Sequence, residues 1–127
     1  MSARHLLTID LGTSGPKVAV IADDGRLVGA ARGSIATAHG ADGSAVQDAE
    51  AVWRSTVGAA VAALADANVP ATSIAGVAAS AQYSSIVPVA ADATPVGPMI
   101  TWMDHRGSPK RLRRLPEIGT SVLVVDH

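Results

Sequence analysis

Short apolar runs separated by small or polar turn residues make up the first third of the chain. Residues 5–11 and 17–22 are rich in leucine and β-branched side chains, and residues 26–36 continue the apolar pattern, so three strands are predicted. Small residues at 12–16 form the first turn. Asp23-Asp24-Gly25 forms the second, because aspartate and glycine tolerate positive φ. The pattern therefore predicts an antiparallel meander, followed by a polar loop over residues 37–46.

A helical period replaces the strand pattern after Asp48. Apolar residues recur there at spacings of three and four, which predicts one buried helix face. These residues are Trp53, Val57, Ala60, Val61 and Leu64. Asp48 is expected to cap the first turn with its carboxylate, and Asn68 and Pro70 are expected to end the helix.

Three further extended segments are predicted after the helix. Residues 74–80 are predicted to form a buried strand that runs parallel to a neighbour, because it follows a crossover helix. Residues 85–90 predict another strand, which Pro88 places at an edge or a bulge, and residues 99–103 predict a short extended segment. The β-β-β-α-β order is typical of an α/β domain with a mixed sheet.

The composition narrows the class of protein. A length of 127 residues fits one domain, and a formal net charge of −1 argues against a nucleic-acid binder. The absence of cysteine excludes disulfides and thiolate metal sites, and the four histidines lack metal-ligand spacing. With no apolar run near the ~18 residues of a membrane span and no signal peptide, a soluble cytoplasmic protein without membrane contact is predicted. Residues 107–127 are interpreted as a basic tail, with a helix starting at Ser108 and a strand over 121–127.

The first segment that could carry chemistry runs from Asp10 to Lys17. Small residues let backbone N–H groups approach an anion, and Gly12, Thr13, Ser14 and Lys17 combine that access with hydroxyl donors and a positive charge. Asp10, at the end of a buried strand, can hold Mg²⁺ directly or through water. The spacing is that of neither a Walker loop nor a dinucleotide fingerprint. An ordinary hairpin turn capped by Asp10 is the alternative.

Two later segments suit a polyol. Gln82 and Tyr83 follow the strand at 74–80, and ligands of α/β sheets gather at the carboxyl ends of strands. Trp102 and Asp104 place an aromatic face beside a carboxylate, which suits the C–H groups and hydroxyls of a sugar. The alternatives are a polar loop with Tyr83 over the core edge, a buried Trp102, and a surface ion pair of Asp104 with Arg106.

Four blocks of the chain resemble the N-terminal part of the FGGY carbohydrate kinases, especially xylulokinase-like members. They are IDLGTSGPK at 9–17, QDAEAVW at 47–53, IAGVAASAQYSSIVPV at 74–89 and PMITWMDHR at 98–106. The resemblance covers residues 6–106. It implies a ribonuclease H-like domain of the actin/hexokinase ATPase type, incomplete here, with residues 1–106 as an N-terminal kinase subdomain. It also implies transfer of the γ-phosphoryl group of ATP to a hydroxyl of a sugar or polyol.

The resemblance assigns roles to the same residues. Asp10 would help to hold Mg²⁺ near the phosphates of ATP, and the first phosphate loop would contain Gly12, Thr13, Ser14 and Lys17. The sugar pocket would contain, or lie beside, Gln82, Tyr83, Trp102 and Asp104. The sugar stays open, because Tyr83 and Ser84 differ from the residues usual in xylulokinases and glycerol kinases.

Family members are several times longer, and their catalytic aspartate follows far downstream. The expectation is therefore an N-terminal fragment with no catalytic residue of its own and no turnover alone. Its partner would be the missing C-terminal half or a second copy. Two other classes stay open: a non-catalytic binding or scaffold module derived from a kinase half, and a ribonuclease H-like nuclease using Asp10. The nuclease needs several carboxylates around two metals, and Asp104 is the only other candidate within a site motif.

Overall fold

A four-stranded mixed sheet with one helix packed on it forms the body of the protein, seen in a computed structural model that describes residues 4–107. The elements are β1 (His5–Gly12), β2 (Gly15–Ala22), β3 (Leu27–Arg32), β4 (Ala38–His39), β5 (Ala45–Gln47), α1 (Ala49–Ala67), a 3₁₀ turn (Ala71–Ser73), β6 (Ile74–Ala81) and β7 (Met99–Ile100). The helix predicted to start at Ser108 and the strand predicted over residues 121–127 lie outside the described residues.

The main sheet has the order β3-β2-β1-β6. β1 pairs antiparallel with β2, and β2 pairs antiparallel with β3, as the meander predicts. β6 runs parallel to β1, which confirms the direction expected after a crossover helix. The mixed sheet is therefore confirmed, and the main sheet with its helix has the predicted β-β-β-α-β order.

A second, small sheet occupies the segment predicted as a loop. β4, β5 and β7 pair antiparallel in the order β4-β5-β7. The loop prediction for residues 37–46 was wrong in part, because strands of two and three residues are too short to show alternation. Residues 85–90 do not form the predicted strand; Ile86 and Val89 make only isolated bridges, to Ile100 and Pro95.

The helix begins and ends where the sequence predicts, but it packs through a different face. Asp48 Oδ1 accepts hydrogen bonds from the backbone N–H groups of Glu50 and Ala51, at 2.9 and 3.1 Å. Asn68 ends the helix in the left-handed conformation, with a φ of 51°. Both capping predictions are confirmed.

Small side chains, not large ones, face the sheet. The buried residues of α1 are Thr56, Ala59 and Ala63, whereas Trp53 and Val61 are 65% and 62% exposed. Of the predicted face, only Ala60 and Leu64 pack against the core. The reason is a close approach of backbones, since a Cβ on Gly29 of β3 would lie 2.4 Å from the amide nitrogen of Ala67. The core itself centres on Leu7, Val18 and Val20 with Ala59 and Ala63.

β6 is less buried than predicted. Val77 is 63% exposed, because α1 lies over β2 and β3 and barely reaches β6 in the part of the chain that the structure describes. Among residues 4–107, no helix has the length and apolar character needed to cross a membrane.

Candidate functional site

A row of polar side chains crosses the sheet where β1 ends. Asp10 is the cross-strand partner of Lys17 on β2 and of Ser80 on β6, so the three side chains lie on one face. Lys17 Nζ donates to Asp10 Oδ2 at 3.0 Å, and Ser80 Oγ donates to Asp10 Oδ1 at 3.1 Å. The hydrogen bond from Lys17, then that from Ser80, and then the charge of Lys17 lower the pKa of the Asp10 carboxyl. Asp10 is therefore held as an anion, half-exposed beside a cation.

Two glycines shape the turn between β1 and β2 for different reasons. Gly15 has a φ of 141°, and a Cβ there would lie 2.3 Å from the carbonyl oxygen of Gly33. Because the backbone just after β3 passes so close, position 15 must be glycine. A Cβ on Gly12 would meet no such obstacle, but it would lie 3.6 Å from Lys17 Nζ. A bare Gly12 keeps one side of the ammonium group open.

Thr13, at the tip of this turn, is anchored from two directions. Its carbonyl oxygen accepts a hydrogen bond from Gln47 Nε2 at 2.7 Å. Its hydroxyl accepts one from Trp102 Nε1 at 3.0 Å. Ser14, the next residue, has an exposed side chain, and its carbonyl oxygen accepts from the backbone N–H of Ile35 at 3.1 Å. The turn is thus held through its backbone and the Thr13 hydroxyl, while the side chain of Ser14 is exposed.

A cleft of about 410 Å³ joins the turn to the segments predicted to bind a polyol. Its polar, glycine and aromatic lining comes from Asp10, Gly12, Thr13, Gln82, Tyr83 and Trp102. Tyr83 and Trp102 are 73% and 56% exposed, so their rings are open to a ligand. Three motifs that lie far apart in the sequence therefore meet at one cleft.

Lys17 lies in a second, larger groove, which is lined by residues of all four strands of the main sheet. This groove has a volume of about 770 Å³ and is lined by Asp10, Lys17, Ser80 and Arg32, among others. Lys17 and Arg32 are cross-strand partners, so two cations lie side by side. Asp10 lines both spaces and marks the point where they meet.

Asp104 is engaged within the protein. Its side chain is 4% exposed, and Arg106 Nη2 donates to its Oδ2 at 2.7 Å. The backbone N–H of Ala45 donates to the same oxygen at 3.1 Å, and that of Arg106 donates to Oδ1 at 3.0 Å. The hydrogen bonds from Arg106 lower the pKa of the Asp104 carboxyl strongly. Asp104 lines a depression beside Trp102 rather than the cleft itself, and it fastens β5 to the loop after β7.

Two residues of the site were not singled out from the sequence. Ser80 becomes a partner of Asp10 only through the parallel register of β6 on β1. Gln47 is 1% exposed and contacts Thr13, Thr37 and Gln82. Its signal is a polar residue two positions after the buried Ala45, on the same face of a strand.

The donor set fits a polyphosphate better than a bare metal ion. Lys17 and the hydroxyls of Thr13 and Ser14 are donors suited to phosphate oxygens. Residues 4–107 contain no group of three His, Cys, Asp or Glu side chains that could hold a metal. Mg²⁺ commonly binds through one or two carboxylates together with phosphates and waters. Asp10 therefore fits an Mg²⁺ ion that arrives on a nucleotide.

Comparison with known proteins points in the same direction. The family model for the N-terminal domain of the FGGY family of carbohydrate kinases matches residues 5–119. The fold is similar to that of a xyloylose kinase from Brucella ovis, with 29% identity, a TM-score of 0.75, and coverage of 81% of this chain and 22% of that chain. No curated protein sequence gives a match.

Two kinases from Lactobacillus acidophilus show the same fold. A gluconate kinase has 20% identity and a TM-score of 0.72 over 82% of this chain and 20% of that chain. A ligand-bound xylulose kinase has 20% identity and a TM-score of 0.70 over 80% and 20%. The chain thus spans about a fifth of the length of these structures. The predicted fold class is confirmed: it is the N-terminal domain of an actin/hexokinase-type kinase.

Proposed function

The chain belongs to the FGGY family of carbohydrate kinases, and we propose that it supplies the phosphate-binding turn and one side of the sugar pocket of an ATP-dependent, cytoplasmic sugar or polyol kinase. The observation that carries the proposal is the single cleft in which Gly12 and Thr13 meet Gln82, Tyr83 and Trp102. Phosphoryl transfer depends mainly on positioning and charge neutralisation. Thr13 of the turn lies in this cleft beside the proposed polyol-binding groups, and Asp10 lines both the cleft and the groove that contains Lys17.

Each group has a definite task in this proposal. Lys17 and the hydroxyls of Thr13 and Ser14 hold phosphate oxygens, and the bare Gly12 keeps the ammonium accessible. The ring of Trp102 packs on the C–H groups of the sugar, while Gln82 hydrogen-bonds a hydroxyl.

ATP, when bound, supplies the phosphoryl group, and its Mg²⁺ neutralises charge on the phosphates. Asp10 would hold that Mg²⁺, directly or through water. Asp104 supports the pocket from behind Trp102 through its bonds to Ala45 and Arg106.

Neither carboxylate near the cleft is suited to act as the general base. A base must bind the proton of the sugar hydroxyl, and catalysis works best when its pKa lies near the operating pH. Both carboxylates near the cleft, Asp10 and Asp104, have a lowered pKa because cations and other donors bind them. We therefore propose that the chain binds its ligands and does not turn them over by itself.

A second candidate function is a non-catalytic module that pairs with another chain. It is favoured by the exposed apolar side chains of Trp53, Val61 and Val77 on α1 and β6. Ligand binding separates the two candidates, because a pure scaffold has no need of the cleft. A nuclease is not supported by residues 4–107, which lack a cluster of metal-binding carboxylates.

The test is a calorimetric titration of the 127-residue chain with Mg-ATP. A charge-assisted hydrogen bond contributes about 1.5–3 kcal/mol, so Lys17→Met is expected to weaken binding by about tenfold or more. Arg54→Met is the matched control, because it also removes one positive charge, from an exposed position on α1. Mg-ATP affinity is expected to be unchanged in this control.

Two results would overturn the proposal. One is the absence of Mg-ATP binding, and the other is an equal loss in Lys17→Met and Arg54→Met, which would indicate binding through net charge alone. A separate measurement tests whether the chain phosphorylates a polyol by itself. The unaltered chain is incubated with Mg-ATP and D-xylulose, D-gluconate or glycerol, and any phosphorylated polyol detected by mass spectrometry would contradict it.

A further inference from the structure

One fully buried amide contacts both sides of the cleft. Gln47 is 1% exposed, and it is the largest of the fully buried side chains in the described part of the protein. Its nitrogen donates to the Thr13 carbonyl at 2.7 Å and to the Thr37 hydroxyl at 2.8 Å. Its oxygen accepts from Gln82 Nε2 at 3.2 Å. A buried polar group that loses its hydrogen-bond partners destabilises the fold. These contacts therefore hold the Thr13 turn and the segment of Gln82 together.

The chemistry of the partners determines the orientation of both amides. A backbone carbonyl can only accept, so the nitrogen of Gln47 must face Thr13. Its oxygen then faces Gln82, whose nitrogen must be the donor. The oxygen of Gln82 consequently accepts from Ser85 Oγ, at 3.2 Å. A primary amide nitrogen carries two N–H groups, so Gln82 has a second one to offer to a ligand in the cleft.

Trp102 contacts the same turn from the other side. Its indole N–H donates to the Thr13 hydroxyl at 3.0 Å, and its ring lines the cleft. A hydroxyl that accepts one hydrogen bond becomes a better donor for the next, because hydrogen bonds in a chain polarise one another. Thr13 is thus held at its carbonyl by Gln47, and its hydroxyl is prepared by Trp102 to donate outward.

From these contacts we propose that Gln47 is a positioning residue that ties the Thr13 turn to Gln82, so that binding of a polyol and binding of phosphate strengthen each other. The coupling rests on the proposed function, because it assumes that the two ligands occupy the two sides of the cleft. A polyol that orders Gln82 and Trp102 also orders the Thr13 turn, which lowers the cost of binding phosphate there. Thermodynamic linkage requires the reverse effect to be equal.

The positioning role is tested first without any ligand. The chain contains two tryptophans, and their indole ¹⁵N–¹H signals are natural probes. Gln47→Met keeps a side chain of similar length but removes the amide. The Trp102 signal is expected to shift and its hydrogen exchange to become several-fold faster, because the Thr13 turn loses its other anchor. The signal of Trp53, which lies on α1, is expected to stay in place.

Two further variants distinguish the loss of the Gln47 contacts from a general loss of stability. Thr37→Val removes one partner of Gln47 without altering Gln47, so a smaller shift of Trp102 in the same direction is expected; it carries the test if Gln47→Met does not fold. Thr56→Val is the matched control, because it removes a buried hydroxyl that donates to the Val52 carbonyl within α1. An unmoved Trp102 signal in folded Gln47→Met and in Thr37→Val would overturn the positioning role, as would an equal shift in Thr56→Val.

The coupling is tested with both ligands. The dissociation constant of Mg-ATP is measured with and without saturating D-xylulose, D-gluconate or glycerol. A polyol that binds is expected to tighten Mg-ATP about tenfold, within the usual range of coupling between two sites. In Gln47→Met the factor by which the polyol tightens Mg-ATP is expected to fall to about one. The affinity for the polyol in the absence of Mg-ATP is expected to change less.

The two proposals fail in different ways. A coupling factor that is retained in Gln47→Met would overturn the role of Gln47 while leaving the proposed function intact. If the unaltered chain binds neither Mg-ATP nor a polyol, the proposed function and the coupling both fail. The indole signals then still decide whether Gln47 positions the Thr13 turn.

Discussion

Alanine in place of Gly29 is expected to push α1 away from the sheet. A Cβ at this position would lie 2.4 Å from the amide nitrogen of Ala67 and 2.7 Å from the carbonyl oxygen of Ala63. Both atoms belong to the backbone of the helix and cannot rotate aside. The helix must therefore move, and Ala59 and Ala63, which are 4% and 0% exposed, lose their packing on the strands.

The size of the effect follows from two opposing terms. Overpacking a core costs about 1–3 kcal/mol, whereas replacing glycine stiffens the unfolded chain and returns about 0.4–1 kcal/mol. A net loss of about 1–2 kcal/mol is expected, which lowers Tm by about 4–8 °C in a domain of this size.

Gly58 provides a control of opposite sign. It lies on the exposed side of α1, and a Cβ there would have no atom within 4 Å. Since glycine inside a helix costs about 1 kcal/mol relative to alanine, Gly58→Ala is expected to stabilise the protein by about 0.5–1 kcal/mol. Thermal and urea unfolding followed by circular dichroism measure both variants. If Gly29→Ala stabilises the protein as much as Gly58→Ala does, the close packing of α1 on β3 is incorrect.

Substitutions at three further positions probe the helix cap, an ion pair and the turn between β1 and β2. Asp48→Ala is expected to cost about 1 kcal/mol in urea unfolding and Asp48→Asn much less, because asparagine can still cap α1. Arg106 lowers the pKa of Asp104, so this pair stabilises the fold fully above the unfolded pKa of about 3.9 and progressively less below it. The stability difference between the unaltered chain and Arg106→Ala should therefore shrink as pH falls below about 4; a difference that grows on acidification would contradict this. Gly12→Ala should change Tm little but weaken Mg-ATP about tenfold, comparable to the loss of one charge-assisted bond, because its methyl group would lie beside the Lys17 ammonium. An unchanged Mg-ATP affinity would place the phosphates elsewhere.

Much of the fold could be predicted because local signals and tertiary structure agree. The apolar runs of β1 and β2, and the capping residues Asp48 and Asn68, are local features and are confirmed. The prediction of which face of α1 is buried was wrong, because sequence periodicity favours the large apolar side chains. In the structure, the approach of the helix to Gly29 leaves room only for small ones. No local pattern reveals how closely two backbones approach.

Some residues of the candidate site could likewise be predicted from the sequence, and others could not. Asp10, Thr13 and Trp102 carry recognisable chemistry, and the structure brings them to one cleft. Ser80 and Gln47 could not be assigned, because their partners are set by strand register and by packing between distant segments. The role of Asp104 in binding sugar remains a prediction. Its carboxylate bonds to Arg106 and Ala45 in the structure.

A polyol site in the cleft is tested most directly by an indole ¹⁵N–¹H titration of the unaltered chain. D-xylulose, D-gluconate and glycerol are added in turn in the presence of Mg-ATP, and the two tryptophan signals are followed. We expect a saturable shift of the Trp102 signal with at least one polyol, while the Trp53 signal on α1 stays in place. A Trp102 signal that moves with none of them, or that moves only together with Trp53, would contradict a polyol site in this cleft.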